Sequence, residues 1–183
     1  MSSLIIMGPT DITKVSRFAS ISNYTEWLKG LAAVCADSFD ELYFIPDHGV
    51  YVDFAMEYLN IKGTNSVVAV MPHGEKWLVE RAKSMGITKF HEMQEGVGWS
   101  FLNTHFVSLA PYALFLGYSS GSLLELTAAK YIRVFEGHTT VFFVDERSIS
   151  SKLPLEILED IQHVHYFKSE IQLKKAIQQY VKK

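Results

Sequence analysis

Only one cysteine, Cys35, occurs in 183 residues, which excludes an intrachain disulfide and fits a reducing compartment. An excess of charge is missing too: 17 Lys and Arg stand against 20 Asp and Glu, for a net charge of −3 and a pI near 6.2. That balance excludes the global basic field on which sequence-independent nucleic-acid binding rests, so DNA and RNA are not expected partners. Long hydrophobic runs are also absent. The apolar run LIIM at residues 4–7 is far too short for a signal-peptide core or a membrane span. No repeat, low-complexity tract or long linker breaks the chain. No third ligand at metal spacing accompanies His48 and His73, so no metal site is expected. These absences leave the expectation of a cytoplasmic protein with no membrane contact.

Hydrophobic residues make up 48% of the sequence, enough for one good core, and the chain reads most simply as a single domain over residues 1–183. Apolar runs of strand length alternate with longer segments of helical period, which predicts an α/β fold. The expectation is a Rossmann-like three-layer sandwich, with a mostly parallel central sheet of about seven strands flanked by helices. The strands are expected at Leu4 to Gly8, Glu41 to Pro46, Ser66 to Pro72, Lys89 to Met93, Tyr112 to Tyr118, Thr139 to Asp145 and His163 to Phe167. LIIMG, VVAVMP, ALFLGY and TVFFVD are apolar throughout and should form the interior of the sheet. Helices are expected at Ser16 to Asp37, Val52 to Ile61, Glu75 to Met85, Phe101 to Ala110, Leu123 to Glu136 and Glu170 to Val181. Gly63, Gly86 and Gly137 would close three of them, and Ser169 would cap the last. Arg147 to Pro154 and Gln94 to Ser100 read as irregular loops.

In an open parallel sheet ligands bind beyond the carboxyl ends of the strands, and the residues leaving each strand are the candidates. They are Gly8 and Thr10 after the first strand, Asp47, His48 and Gly49 after the second, and Pro72 and His73 after the third. The sixth strand ends in Asp145, Glu146 and Arg147. The richest stretch is GYSSGSLLELTAAKYI, residues 117–132, where the run YALFLGY enters a turn of small residues and then a helical pattern. Gly117, Ser119, Ser120, Gly121 and Ser122 can offer backbone N–H groups and hydroxyls at the positive end of a helix dipole, which suits a phosphate. Glu125 follows within the helix, close enough to meet what the loop holds. Asp53 opens the helix after the second strand and is a second candidate acid. Tyr51 and Trp99 sit in rim segments and could stack on a base.

The order of these elements resembles the SLOG superfamily, the Rossmann-like group that includes the LOG-type proteins once described as lysine decarboxylases, the molybdenum-cofactor carrier proteins and the DNA-processing protein DprA. In LOG-type proteins a strand leads into proline, two glycines, any residue, glycine, threonine, two residues and a glutamate. Gly121, Ser122 and Glu125 fall on the last glycine, the threonine and the glutamate. Gly117, Tyr118 and Ser119 replace the proline and the glycine pair. A second family motif, a glycine cluster opening a helix, is answered by PDHGVYVDFAMEYL, where Gly49 alone is kept. The resemblance implies a nucleotide-type ligand across the strand ends, its phosphate on residues 119–122, and a homodimer.

The resemblance also implies a chemistry. LOG-type enzymes cleave the N-glycosidic bond of nucleoside 5′-monophosphates with that glutamate and an arginine shortly after the fourth strand. Gly96 stands where the arginine would be, and Arg133 and Arg147 are the candidates to replace it. The expected function is therefore binding of a nucleotide or related phosphorylated ligand without the full LOG-type catalysis. Two alternatives remain open: an N-glycosidase using Glu125, and a scaffold protein that keeps only the fold. A plainer reading of residues 117–125 also stands, a tight turn with Ser119 or Ser120 as N-cap.

Overall fold

The strands form one sheet in the order β4-β3-β2-β1-β5-β6-β7, with every neighbouring pair parallel. They are β1 (Ser3–Met7), β2 (Glu41–Phe44), β3 (Val67–Met71), β4 (Lys89–Glu92), β5 (Tyr112–Phe115), β6 (Val141–Asp145) and β7 (Val164–Phe167) in a computed structural model that describes residues 2–15, 22–96 and 98–181. All seven expected strands are present, each within a few residues of its expected place. Seven α-helices accompany them among the described residues: α1 (Ser22–Ser38), α2 (Val50–Lys62), α3 (Lys76–Ser84), α4 (Trp99–His105), α5 (Ser120–Glu136), α6 (Leu155–Ile161) and α7 (Glu170–Tyr180). The expected helix start at Ser16 lies outside the described residues.

Helix α1 packs on α2 and α7, whereas α5 packs on α4 and α6, so two helical layers sandwich the sheet. Parallel strands joined by right-handed crossovers produce this arrangement. β1, β3, β5 and β6 are buried nearly end to end, because both of their faces are covered. The sequence pattern underrated β2, which lies between β3 and β1 in the interior although its residues alternate. Its half-buried polar groups are satisfied locally. Tyr43 donates to Glu41 at 2.8 Å and Lys89 from β4 donates to the same carboxylate at 2.8 Å, so a charge is tolerated in a central strand.

Two further departures have simple causes. Helix α6 was not expected, because its seven residues carry Ile161 as the one fully buried side chain, too little for a periodic signal. The segment expected as a helix over 101–110 is instead the shorter α4 followed by a 3-10 turn at Phe106–Ser108. Gly137 closes α5 in the left-handed conformation, with its N–H on Arg133 O at 3.1 Å. The first residue of α7 is preceded by Ser169, whose hydroxyl accepts from Gln172 N at 3.3 Å. No described helix is long and apolar enough to cross a membrane.

Candidate functional site at the strand carboxyl ends

Strand order reverses between β1 and β5. The chain steps outward from β1 through β2 to β4, then returns to the other side of β1 as β5, so the loops leaving β1 and β5 diverge and open a crevice. The turn into α2 closes over the end of β1. Val50 N–H donates to Pro9 O at 3.2 Å, and Gly8 is buried against Val50. Gly49 has φ +98°, and a Cβ there would lie 2.4 Å from both Pro9 O and Thr10 Cα. Gly117 has φ +131°, and its Cβ would lie 2.8 Å from Val15 Cγ1 and 3.1 Å from Ser148 O. Both positions require glycine, because the backbones of neighbouring strand ends meet there.

Helix α5 begins with a reciprocal cap. Ser122 N–H donates to Ser119 Oγ at 3.0 Å and Ser119 N–H to Ser122 Oγ at 2.8 Å, while the Ser122 hydroxyl donates to Gly117 O at 3.0 Å. Serine here does the work that a longer Glu or Gln does in the usual capping box. The two hydroxyls are thus committed to the turn, as the plainer reading of this loop has it for Ser119. The N–H groups of Ser120 and Gly121, in the first helical turn, have no carbonyl of their own helix to bond. Ser120 is exposed, and around Gly121 a Cβ would find only Ser119 Oγ, at 3.8 Å. These two amides stand at the positive end of a 17-residue helix.

Glu125 lies on the buried face of the same helix with Ser122, Leu126 and Ala129. Side chains on a helix lean toward its N-terminus, which turns this carboxyl back toward the loop. It is 6% exposed and makes no hydrogen bond or ion pair. Burial pushes its pKa well above the ordinary value, so the acid is neutral under conditions that ionise a surface glutamate. Beside it stands Tyr51, in the first turn of α2. The Tyr51 hydroxyl is raised chiefly by burial, then by Asp47 and Glu125, and is lowered by a backbone hydrogen bond at His48 and, to a lesser degree, by Arg81 of α3. Asp47 and His48 pair through Oδ1 and Nδ1 at the turn that precedes this helix.

The structure thus sets Gly8 against Val50, Gly49 against Pro9 and Thr10, and Gly117 against Pro9, Val15 and Ser148, with Asp47 and His48 in the turn before α2 and Ser119, Ser120, Gly121, Ser122 and Glu125 on the cap and first turns of α5. Four candidates lie elsewhere. Pro72 is buried, and His73 pairs with Glu92 at 3.1 Å, two strands away from β1 at the β3 and β4 edge. Asp53 follows Tyr51 by two residues and so faces about 200° round the helix, where it accepts from Tyr24 Oη of α1 at 2.7 Å. Trp99 opens α4, downstream of edge strand β4, and is partly exposed. Among the described residues no group of three or more His, Cys, Asp or Glu comes together to hold a metal.

Neither expected substitute for the family arginine reaches the opening. Arg147 is bound to the fully buried Asp145 through Nη2 at 2.8 Å and Nε at 3.0 Å, and to Glu170 at 3.0 Å. Burial disfavours the guanidinium charge, and these two carboxylates more than offset it. Trp27 Nε1 completes the cluster on Asp145 at 2.8 Å, so the polar end of β6 ties α1 to α7. Arg133 donates to Asp160 O at 2.9 Å, on the side of α5 facing α6. The arginine whose field does reach the site, Arg81, is exposed on α3. Nothing in its helical context distinguishes it in the sequence.

No family model matches the chain, and no curated protein matches it by sequence. Solved structures do. The molybdenum cofactor carrier protein of Chlamydomonas reinhardtii superposes with a TM-score of 0.68 at 13% identity, covering 97% of this chain and 96% of that one. DNA processing protein A of Helicobacter pylori, described by its single-stranded DNA binding mode, gives 0.64 at 9% identity over 99% and 82%. DNA processing protein A of Streptococcus pneumoniae gives 0.54 at 12% identity over 94% and 60%. At such identities the likeness is one of fold, and this chain shares the Rossmann-like fold of these SLOG-superfamily proteins.

Proposed function

We propose that the chain binds a phosphorylated small ligand of nucleotide type at the crevice between the ends of β1 and β5. The ligand's anionic group rests on the amides of Ser120 and Gly121. The observation that carries this reading is Glu125, buried and without a partner directly beneath that helix terminus. Its oxygens keep some access to solvent, because among the described residues the fully buried side-chain polar atom without a partner is Arg133 Nε, so a ligand can reach them. A ligand that hydrogen-bonds the neutral acid would replace that water, and a neutral acid does not repel a phosphate beside it. A carrier of the molybdenum cofactor on the same fold is in line with a small ligand. Single-stranded DNA, bound by a DNA processing protein of that fold, is less suited to a chain with net charge −3.

Thermal unfolding against nucleoside mono- and diphosphates, dinucleotides and inorganic phosphate tests the reading. A ligand at a hundred times its dissociation constant adds about 2.7 kcal/mol. The stabilisation should vanish in Gly121→Leu, whose side chain enters open space at the mouth without displacing any backbone. No stabilisation by any member of the panel overturns the reading.

One observation favours a second reading, in which the bound nucleotide is hydrolysed. A carboxyl held neutral is equipped to donate a proton to a departing base. Free base should then be released from a nucleoside monophosphate, and Glu125→Gln should bind the ligand without releasing base. Turnover retained in that variant excludes Glu125 as the donor.

The molecule is further proposed to pair with a second copy of itself through α4 and α5. Tyr131 and Phe135 project from α5 at 60% and 78% exposure, their rings stacked 6.5 Å apart. Beside them a groove between Thr104, His105, Leu124 and Ala128 is open and mainly apolar. Knob and groove on one face are what a two-fold contact needs, since each copy presents both.

A further inference from the structure

A second opening lies on the other side of Gly117. Thr13 and Lys14 from the turn after β1, Tyr118 after β5, and Ser148 and Ser150 after β6 enclose a crevice of about 260 Å³. At ~30 Å³ per water that is room for a phosphate group and part of its hydration shell. The walls are held in place. Ser148 Oγ–H donates to Asp145 O at 2.8 Å and Tyr118 Oη–H to Ser151 O at 2.8 Å. The carboxylate nearest Lys14, that of Asp11, is turned to Thr13, accepting from N–H at 3.0 Å and from Oγ1 at 2.7 Å.

Lys14 and Ser150 are different. Both are exposed, and neither side chain has an ion pair or hydrogen bond. Among the described residues the crevice thus presents one cation and one hydroxyl that make no hydrogen bond or close ion pair, Lys14 being attracted to Asp11 only at longer range. Tyr118 joins it to the proposed ligand site. It stands two residues before Ser120, so the two Cα atoms are at most ~7 Å apart, within the span of two linked phosphates and a short bridge.

We infer that this crevice is a second anion subsite, in which Lys14 and Ser150 receive a second negatively charged group of the ligand bound at α5. The inference rests on the reading of α5 given above and narrows the ligand to the class of pyrophosphates and nucleoside diphosphates. The contact is a charge-assisted hydrogen bond from an ammonium to a phosphate oxygen, and it adds only to ligands long enough to reach it.

Isothermal titration of the full chain with phosphate, pyrophosphate, AMP and ADP is the test, using the wild-type protein, Lys14→Ala and Gly121→Leu. The wild type should prefer pyrophosphate to phosphate and ADP to AMP. Lys14→Ala should reduce that preference about tenfold, ~1.4 kcal/mol, while keeping its affinity for phosphate and AMP and its unfolding midpoint. Gly121→Leu should abolish binding of all four. A preference unchanged by Lys14→Ala, with binding still lost in Gly121→Leu, overturns the subsite and leaves the α5 site standing. Failure of the wild type to bind any of the four overturns both.

Discussion

Glu125 is the residue on which the proposed function turns. Its carboxyl loses water on burial and gains neither a cation nor a donor, so its pKa is higher in the folded chain than in the unfolded one. Above the ordinary value of 4.5 the unfolded chain releases this proton while the folded chain retains it. Stability from this group is therefore complete below that value and is lost as pH rises toward the folded pKa, at up to about 1.4 kcal/mol per pH unit. Glu125→Gln should remove that dependence and raise the unfolding midpoint at pH 7 and above. Melting curves across pH 5 to 9 check it, and equal slopes in variant and wild type would show that the carboxyl is ionised in the fold. Asp145 represents the opposite solution. It is buried as deeply, but Trp27 and Arg147 surround it with donors, and it serves the structure.

At the scale of the element, α5 combines a closed cap with an open terminus. Ser119 and Ser122 satisfy each other and Gly117, which fixes the direction in which the first two amides face. Ser122→Ala leaves the Ser119 N–H and the Gly117 carbonyl without their partner, a loss of about 1–3 kcal/mol. For a chain of 183 residues that lowers the midpoint by roughly 2–4 °C per kcal/mol, and circular dichroism on heating reads it. Gly121→Ala, in open space and without a positive φ, should be neutral or stabilising by up to about 1 kcal/mol. The contrast separates residues that build the turn from the position that borders the proposed ligand. The cap was legible in the sequence as small polar residues before an apolar helical pattern. That both hydroxyls are consumed by it was not, because hydrogen-bond partners depend on where the Gly117 carbonyl points.

For the whole molecule, the feature most in need of explanation is the apolar face of α4 and α5. Leu124, Tyr131, Val134 and Phe135 remain exposed on one helix, and Phe101 stacks on His105 next to it at 4.9 Å. A dimer through this face predicts that Tyr131→Glu combined with Phe135→Glu yields a monomer with an unchanged circular dichroism spectrum. Sedimentation velocity distinguishes the outcomes, and a dimer that survives both substitutions must use another surface. The face belongs to the helix whose terminus carries the proposed ligand site, so one measurement of ligand affinity in the double variant also reports whether pairing supports binding.

Seven strands, most of the helices and the rim on which the candidates fall follow from hydrophobic periodicity, because strands covered on both sides must be apolar along their whole length and these are. Tertiary structure alone decided which rim residues meet. Asp53 and Tyr51 are two residues apart, yet helical rotation sends one to Tyr24 and the other toward Glu125. Arg147 lies on the rim as read, but a buried aspartate two residues earlier holds it. His73 leaves its strand at the same height as the others, and strand order carries it to the edge. Local pattern reports how each segment alternates between inside and outside. The distances between segments are set by the crossovers, and there the switch between β1 and β5 sets Gly117 against Pro9 and Val15, and Gly49 against Pro9 and Thr10.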